Sequence, residues 1–318
     1  MLIYFILSSY KQTPMKLHQL RYIREVARQG LNVSAAADML HTSQPGVSKQ
    51  IQLLEEELGL QIFHRSGKRL TSVTEPGHAI LAMAERMLRE VENIKRVGED
   101  FTRESEGALT IATTHTQARY RLPPAVKSFI ERYPGVRLNI HQGSPLQVAE
   151  LVANGEADVG IATESIADRA ELAALPCYTW NRCLVVPLAH PLMQDQPLTL
   201  EKITEYPIVT YDLGFTGSTS VKRVFEARGL VPNIVLTAID SDVIKTYVEL
   251  GLGVGLLASM AYNAERDRNL AMLDASHLFP DSTTYLGVRR DAYLRGYVYE
   301  FIRLIAPNLD RKAVNAAL

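Results

Sequence analysis

Ser43-Gln44-Pro45-Gly46-Val47-Ser48-Lys49-Gln50-Ile51, continued to Leu58-Gly59, is the stretch on which the fold turns. Ser43 is suited to cap a helix N-terminus, and Pro45 sits in the first turn, where its missing N–H costs nothing. Val47, Ile51, Leu54 and Leu58 recur every three or four residues, so one face is apolar, and Gly59 is a suitable C-cap. The opposite face carries Gln44, Ser48, Lys49, Gln50 and Gln52, side chains able to hydrogen-bond base edges and phosphates. Upstream, Leu17, Leu20, Ile23, Val26 and Ala27 predict a helix over 17–29, and residues 34–40 predict a second, alanine-rich helix with Ser34 as N-cap. A turn at His41-Thr42 separates it from the third. Two short helices, a tight turn and a polar-faced third helix make a helix-turn-helix pattern, although a small helical bundle with a solvated face fits the same pattern.

The next segment favours DNA. His64-Arg65-Ser66-Gly67-Lys68-Arg69 is a compact basic turn flanked by Phe63 and Leu70, placed as a wing that reaches phosphates beside the third helix. The chain of 318 residues has 34 Lys and Arg against 35 Asp and Glu, a formal net charge of -1. That neutrality excludes a uniformly basic coat protein but conceals an asymmetry. Residues 15–72 carry +3, Lys11 adds one charge, and residues 73–318 carry -5. The basic excess therefore sits where DNA would.

A 47 % hydrophobic content supports real cores and rules out disorder. The two cysteines, Cys177 and Cys183, form neither a disulfide framework nor a zinc spacing, which points to reduced, cytosolic thiols. Met1–Leu7 is apolar but too short to span a bilayer and lacks a preceding basic residue, so residues 1–14 read as an upstream start or disordered tail. Residues 74–103 read as one long helix whose seam, Ile80, Ala84, Met87, Leu88, Val91, Ile94, Val97 and Phe101, calls for a partner helix: a second copy, or its own domain.

From Gly107 the rhythm alternates short β-like runs with helices, as in two small α/β lobes around a cleft. No metal, Walker or hydrolase motif appears, which disfavours an enzyme. Gly251-Leu252-Gly253-Val254-Gly255 follows a predicted helix rather than a strand, so it reads as a tight turn into a strand and not as a nucleotide loop. Two hydroxyl-rich junctions stand out, Thr113-Thr114-His115-Thr116-Gln117 and Gly214-Phe215-Thr216-Gly217-Ser218-Thr219-Ser220, each between a predicted strand and a predicted helix. Helix starts rich in donors suit a small anion, and simple N-capping explains either one alone. Thr163, just past the run Val159–Ala162, adds a further hydroxyl.

These residues resemble the LysR-type transcriptional regulators from Met15 nearly to the C-terminus. The resemblance rests on Ser34-Ala35-Ala36-Ala37-Asp38-Met39-Leu40, on Ser43 to Ile51, and on Leu54-Glu55, Leu58-Gly59 and Phe63-His64-Arg65. The effector half is similar to the CysB-type branch through Ala112 to Tyr120, His141 to Pro145, Pro176 to Arg182, Gly214 to Gly217 and Asp242 to Tyr247.

The resemblance implies a winged helix-turn-helix over 15–73, a dimerising linker helix over 74–104, and a two-lobed, periplasmic-binding-protein-like α/β effector domain over 107–310. Lobe I would take about 107–177 and 282–310, and lobe II about 178–281. It further implies a cytoplasmic homotetramer, dimerised through the linker helix, that binds promoter DNA, engages RNA polymerase and needs no metal or other cofactor. DNA-binding residues would be Ser34, Ser43, Gln44, Pro45, Ser48, Lys49, Gln50, Arg65, Lys68 and Arg69. The implied effectors are N-acetylserine or O-acetylserine as inducer and sulfate or thiosulfate as small anions. By motif matching the anion would be held by Thr114, Thr116, Gln117, Thr163 and Thr216, with Trp180 and Tyr211 as cleft neighbours. Sulfate only accepts hydrogen bonds, so a site made of donors fits it, and fits a carboxylate as well. The branch has arginine where this chain has Ser218, which leaves inducer choice open. A sulfur-starvation regulator of the same branch is the nearest alternative, and a sulfate- or solute-binding protein the alternative of another class.

Overall fold

The computed structural model describes residues 15–67, 69–194, 197–212 and 218–318. The 1–14 extension, Lys68 and Thr216 lie outside the described residues. The chain forms two units divided between Arg96 and Val97, inside one long helix.

The N-terminal unit holds α1 (Leu17–Arg28), α2 (Val33–Met39) and α3 (Gln44–Leu58), then the antiparallel hairpin of β1 (Phe63–Ser66) and β2 (Arg69–Val73), then the start of α4 (Glu75–Thr102). Helix α3 begins and ends as its caps require. Ser43 Oγ accepts from Gly46 N at 3.3 Å, and Gly59 takes the left-handed conformation with φ 67°. Val47, Ile51 and Leu54 pack with Ile23, Val26, Ala36 and Phe63 in one buried core. The expected cap of α2 is corrected. Asn32, not Ser34, is the N-cap, its Oδ1 accepting from Ser34 N and Ala35 N at 3.1 Å each, because the helix starts at Val33 and leaves Ser34 inside it. The seam of α4 divides. Ile80, Ala84 and Leu88 pack into the N-terminal core, whereas Met87, Ile94, Val97 and Phe101 are exposed, as is Met83 outside the seam.

The second unit contains two five-stranded sheets. The first comprises β3 (Glu106–Thr113), β4 (Gly135–Gln142), β5 (Val159–Ala162), β6 (Leu172–Trp180) and, after a long excursion, β12 (Ser282–Arg289), in the order β4-β3-β5-β12-β6. The second comprises β7 (Arg182–Pro187), β8 (Ile208–Tyr211), β9 (Ile234–Ala238), β10 (Val254–Ala258) and β11 (Leu270–Asp274), in the order β11-β7-β10-β8-β9. The chain crosses between sheets twice, at Asn181 and again between β11 and β12, which defines two lobes. Strand β6 stays in the lobe I sheet as far as Trp180, paired with Ser282.

Helices α5 (Leu122–Arg132), α6 (Pro145–Ala153), α10 (Gly296–Ile305) and α11 (Arg311–Ala317) belong to lobe I, and α7 (Leu200–Thr204), α8 (Ser218–Glu226) and α9 (Ser241–Glu249) to lobe II. Gly253 confirms the tight turn into a strand: Val254 opens β10, and a Cβ at Gly253 would lie 2.2 Å from the Pro207 carbonyl oxygen. No helix among the described residues is long and apolar enough to cross a membrane.

Candidate DNA interface and effector cleft

Ser43, Gln44, Pro45 and Lys49 are exposed on α3, as is Ser34 on α2, while Ser48 and Gln50 are half-buried. Gln44 Nε2 donates to Ser48 Oγ at 3.0 Å, and Gln50 Oε1 lies 3.1 Å from His18 Nε2 on α1. An open groove of about 950 Å³ is lined by Asn32, Ser34, Gln44, Ser66 and Arg69, so the start of the third helix and the hairpin share one polar surface. Arg69 is exposed at the hairpin. Arg65 has a partner within the fold. Its Nη2 lies 2.8 Å from Glu55 Oε2, and the other carboxylate oxygen accepts from Ile62 N and Phe63 N. Arg65 thus ties the hairpin to α3, and its charge is partly neutralised before any phosphate arrives.

In the second unit, the end of β3 leads through Thr114 and His115 into a helical segment whose first turn is wide, Gln117–Arg121. Thr114, Gln117 and Thr163 are 5 %, 2 % and 1 % exposed, so all three belong to the interior of the junction. Gln117 is gripped at both ends: Tyr178 Oη donates to its Oε1, and its Nε2 donates to Thr284 Oγ1 at 3.2 Å. Trp180 Nε1 donates to the same Thr284 oxygen at 3.1 Å. With one N–H given to Thr284, the Gln117 amide keeps a second N–H for a ligand.

Between the lobes, Thr116 Oγ1 is 3.2 Å from Ser241 Oγ of lobe II, and Tyr211 Oη is 2.7 Å from that same hydroxyl while accepting from Ala258 N at 3.2 Å. Burial raises the Tyr211 pKa, so it stays a neutral phenol. The structure therefore joins Thr116 and Gln117 to Ser241, Thr284 and Tyr178, three residues the sequence did not single out. The Asp242–Tyr247 motif pointed to α9 without identifying Ser241 as the contact. Thr216 lies outside the described residues, and nothing places it here.

Beside this floor, lobe I and lobe II are joined by charge. His115 Nε2 lies 3.2 Å from Asp240 Oδ2, and Arg119 pairs with Asp242. Tyr120 Oη donates to Asp242 Oδ1 at 2.5 Å and accepts from Lys245 Nζ at 3.1 Å, while Lys245 also meets Asp267 at 2.8 Å and the Ala261 carbonyl at 2.9 Å. Burial opposes the charge on Lys245, but the bonds to Asp267, Tyr120 and Asp242 outweigh it and hold its pKa above the ordinary lysine value. Burial likewise opposes the Asp242 carboxylate, yet Tyr120, Lys245 and Arg119 bring it below the usual range. Burial pushes both thiols, Cys177 and Cys183, up to about 12, so they are protonated rather than nucleophilic. Among the described residues no acid, histidine or cysteine cluster could hold a metal.

A helix-turn-helix with a wing, followed by a two-lobed α/β domain whose lobe junction gathers hydroxyl and amide groups, is the architecture of a DNA-binding regulator with a small-molecule-binding domain. The chain belongs to the LysR family of bacterial transcriptional regulators: residues 17–78 match the bacterial regulatory helix-turn-helix protein, lysR family, and residues 102–310 match the LysR substrate binding domain. Among its relatives is the HTH-type transcriptional regulator CysB of Burkholderia cenocepacia, 54 % identical over 304 residues, covering 96 % of this chain and 97 % of that one. The regulator cbl of Escherichia coli is 50 % identical over 93 % of this chain and 94 % of its own. The solved cofactor-binding domain of the Cbl transcriptional regulator superposes with a TM-score of 0.64 at 47 % identity, covering 66 % of this chain and 92 % of that one.

Proposed function

We propose that the chain controls genes for sulfate uptake, sulfate reduction and cysteine synthesis, with an acetylserine as inducer and sulfate or thiosulfate as competing or opposing anions. The observation that carries this reading is the 54 % identity to a CysB regulator along almost the full length of both chains. The donor-rich cleft supports it. Thr114, Thr116, Gln117, Thr163 and Thr216 are the ligand residues of this reading, with Ser241 added from lobe II and Trp180 and Tyr211 beside them. Ligand acts by differential affinity for two lobe arrangements. The protein works in the cytoplasm as a homotetramer, in which the exposed Met83, Met87, Ile94 and Phe101 of α4 meet a second copy, and it engages RNA polymerase at the promoter. A sulfur-starvation regulator is the second reading, favoured by the 50 % identity to cbl.

Mobility shift on sulfur-gene promoter duplexes, with and without N-acetylserine, tests the function. Binding that shifts with N-acetylserine supports the first reading; binding indifferent to it but altered by sulfate supports the second. No binding to these duplexes overturns both.

Gln44, Ser48, Lys49 and Gln50 are the proposed base and backbone contacts, with Ser34, Ser43 and Pro45 at the backbone and Arg65, Lys68 and Arg69 on phosphates. Because Arg65 is bound to Glu55, the Arg69→Ala variant is expected to lower the salt slope of DNA binding by about one, and Arg65→Ala by less. Equal slopes for the two variants would show that the Glu55 pairing does not withdraw charge from DNA. Thr114→Ala is expected to weaken sulfate binding about tenfold by calorimetry, or ~1.4 kcal/mol. A normal titration would remove Thr114 from the site.

A further inference from the structure

The last turn of α4 has no basic residue of its own to meet the negative end of its dipole. Arg295, almost 200 residues away, supplies one. Its Nη2 donates to the carbonyls of Glu99 at 3.2 Å and Arg103 at 2.7 Å, and its Nη1 lies 3.4 Å from the Glu99 carboxylate. The relation is mutual, because Arg295 is itself the N-cap residue of α10, and its side chain is turned away to α4. The first N–H of α10, at Gly296, donates instead to Asp100 Oδ1 of α4 at 3.1 Å, and Tyr293 Oη donates to Asp100 Oδ2 at 2.9 Å. Each helix end thus receives the charge its dipole favours from the other helix: a cation at the C-terminus of α4 and a carboxylate at the N-terminus of α10. Both side chains are largely buried, at 5 % and 15 % exposure, so each protects the other from being left unpaired. The guanidinium also lies 4.8 Å over the Tyr297 ring. Space for it exists because position 107 is glycine: with φ +139°, a Cβ there would lie 2.7 Å from Arg295 Nη1.

We propose that Arg295 and Asp100 form a reciprocal cap that makes the last turn of α4 part of lobe I, and that this joint carries the effect of a cleft ligand into the long helix. The covalent path from the effector unit to the DNA-binding unit runs through residues 97–106. An open helix end there would fray and absorb a lobe movement; a doubly capped one moves with lobe I. Arg295 and Asp100 are positioning residues that touch neither ligand nor DNA. The transmission half of the proposal rests on the ligand response proposed above.

The test uses the full chain, a duplex selected by the wild-type protein from a random library, and N-acetylserine and sulfate as probes. In Asp100→Ala and Arg295→Gln, calorimetric affinity for the probes should stay within about twofold of wild type, while the ligand-induced change in duplex affinity, about fivefold or more in wild type, should fall below about twofold. Amide hydrogen exchange over 97–106 should quicken about tenfold. Asp100→Asn keeps an oxygen for Gly296 N and should retain both coupling and protection, which general destabilisation would not predict. Variants that keep wild-type coupling overturn the transmission role. If wild-type duplex affinity ignores both probes, the ligand reading fails and the joint is judged by exchange alone: faster exchange in Asp100→Ala supports the cap, and unchanged protection overturns it.

Discussion

Lys245→Met is expected to lower the stability of the effector unit by about 3–5 kcal/mol at neutral pH, because it leaves the buried Asp267 carboxylate without its cation. For a domain of this size that is a fall in Tm of about 10 °C. The side chains of Lys245 and Asp267 are only 7 % and 10 % exposed, so water does not compensate. Trp180 is the sole tryptophan and sits at the lobe junction, so its fluorescence reports this unit directly during urea unfolding of the full chain. The double variant Lys245→Met/Asp267→Leu should recover most of the loss, since two apolar groups replace a matched pair. A loss in Lys245→Met of less than about 1 kcal/mol would mean that the carboxylate is hydrated after all.

The same cluster sets a pH signature. Lys245 has a raised pKa in the fold, so its contribution is complete below the ordinary lysine pKa and is lost as pH rises through the folded value. Asp242 has a lowered pKa, so its contribution is present above the ordinary aspartate value and is lost as pH falls through the folded one. Between the two ranges the Tyr120 hydroxyl of lobe I is held by both partners on lobe II. Tyr120→Phe should therefore flatten both flanks of the stability profile.

What the sequence made legible follows distance along the chain. Helix α3 was readable because its cap, proline, apolar period and terminal glycine lie within seventeen residues and agree. Thr114, Thr116 and Gln117 were readable as a run of donors at a strand end. Ser241, Thr284 and Tyr178 were not, since each becomes part of the cleft only when strands or helices far apart in sequence meet. The divided seam of α4 has a similar cause: its period shows an apolar face but not which turns the domain itself covers. Arg65 was assigned to phosphate from its place in a basic turn. Its partner, Glu55, stands among three consecutive glutamates, and only the helical period, which sets Glu55 one turn beyond Ile51, separates it from the less buried Glu56 and Glu57 that follow.

That period buries Glu55 at the joint between the third helix and the hairpin. It is 7 % exposed, and one oxygen accepts from both Ile62 N at 2.9 Å and Phe63 N at 3.2 Å, where the chain leaves the third helix for the hairpin. Glu55→Ala removes the acceptor from two buried N–H groups and releases Arg65. At about 1–3 kcal/mol for each orphaned donor, the N-terminal unit should lose roughly 2–6 kcal/mol. Glu55→Gln keeps one oxygen for those donors and loses only the charge on Arg65, so its loss should be about 1 kcal/mol. Helical circular dichroism during thermal unfolding measures the difference. DNA binding separates the two roles further. If the carboxylate both anchors the hairpin and withholds Arg65 from phosphates, Glu55→Gln should bind DNA at least as well as wild type with a steeper salt slope. Glu55→Ala should bind weakly, because the wing has lost its anchor. Equal DNA affinity in Glu55→Ala and Glu55→Gln would show that the hairpin keeps its place without the carboxylate, and that the buried acid contributes to folding alone.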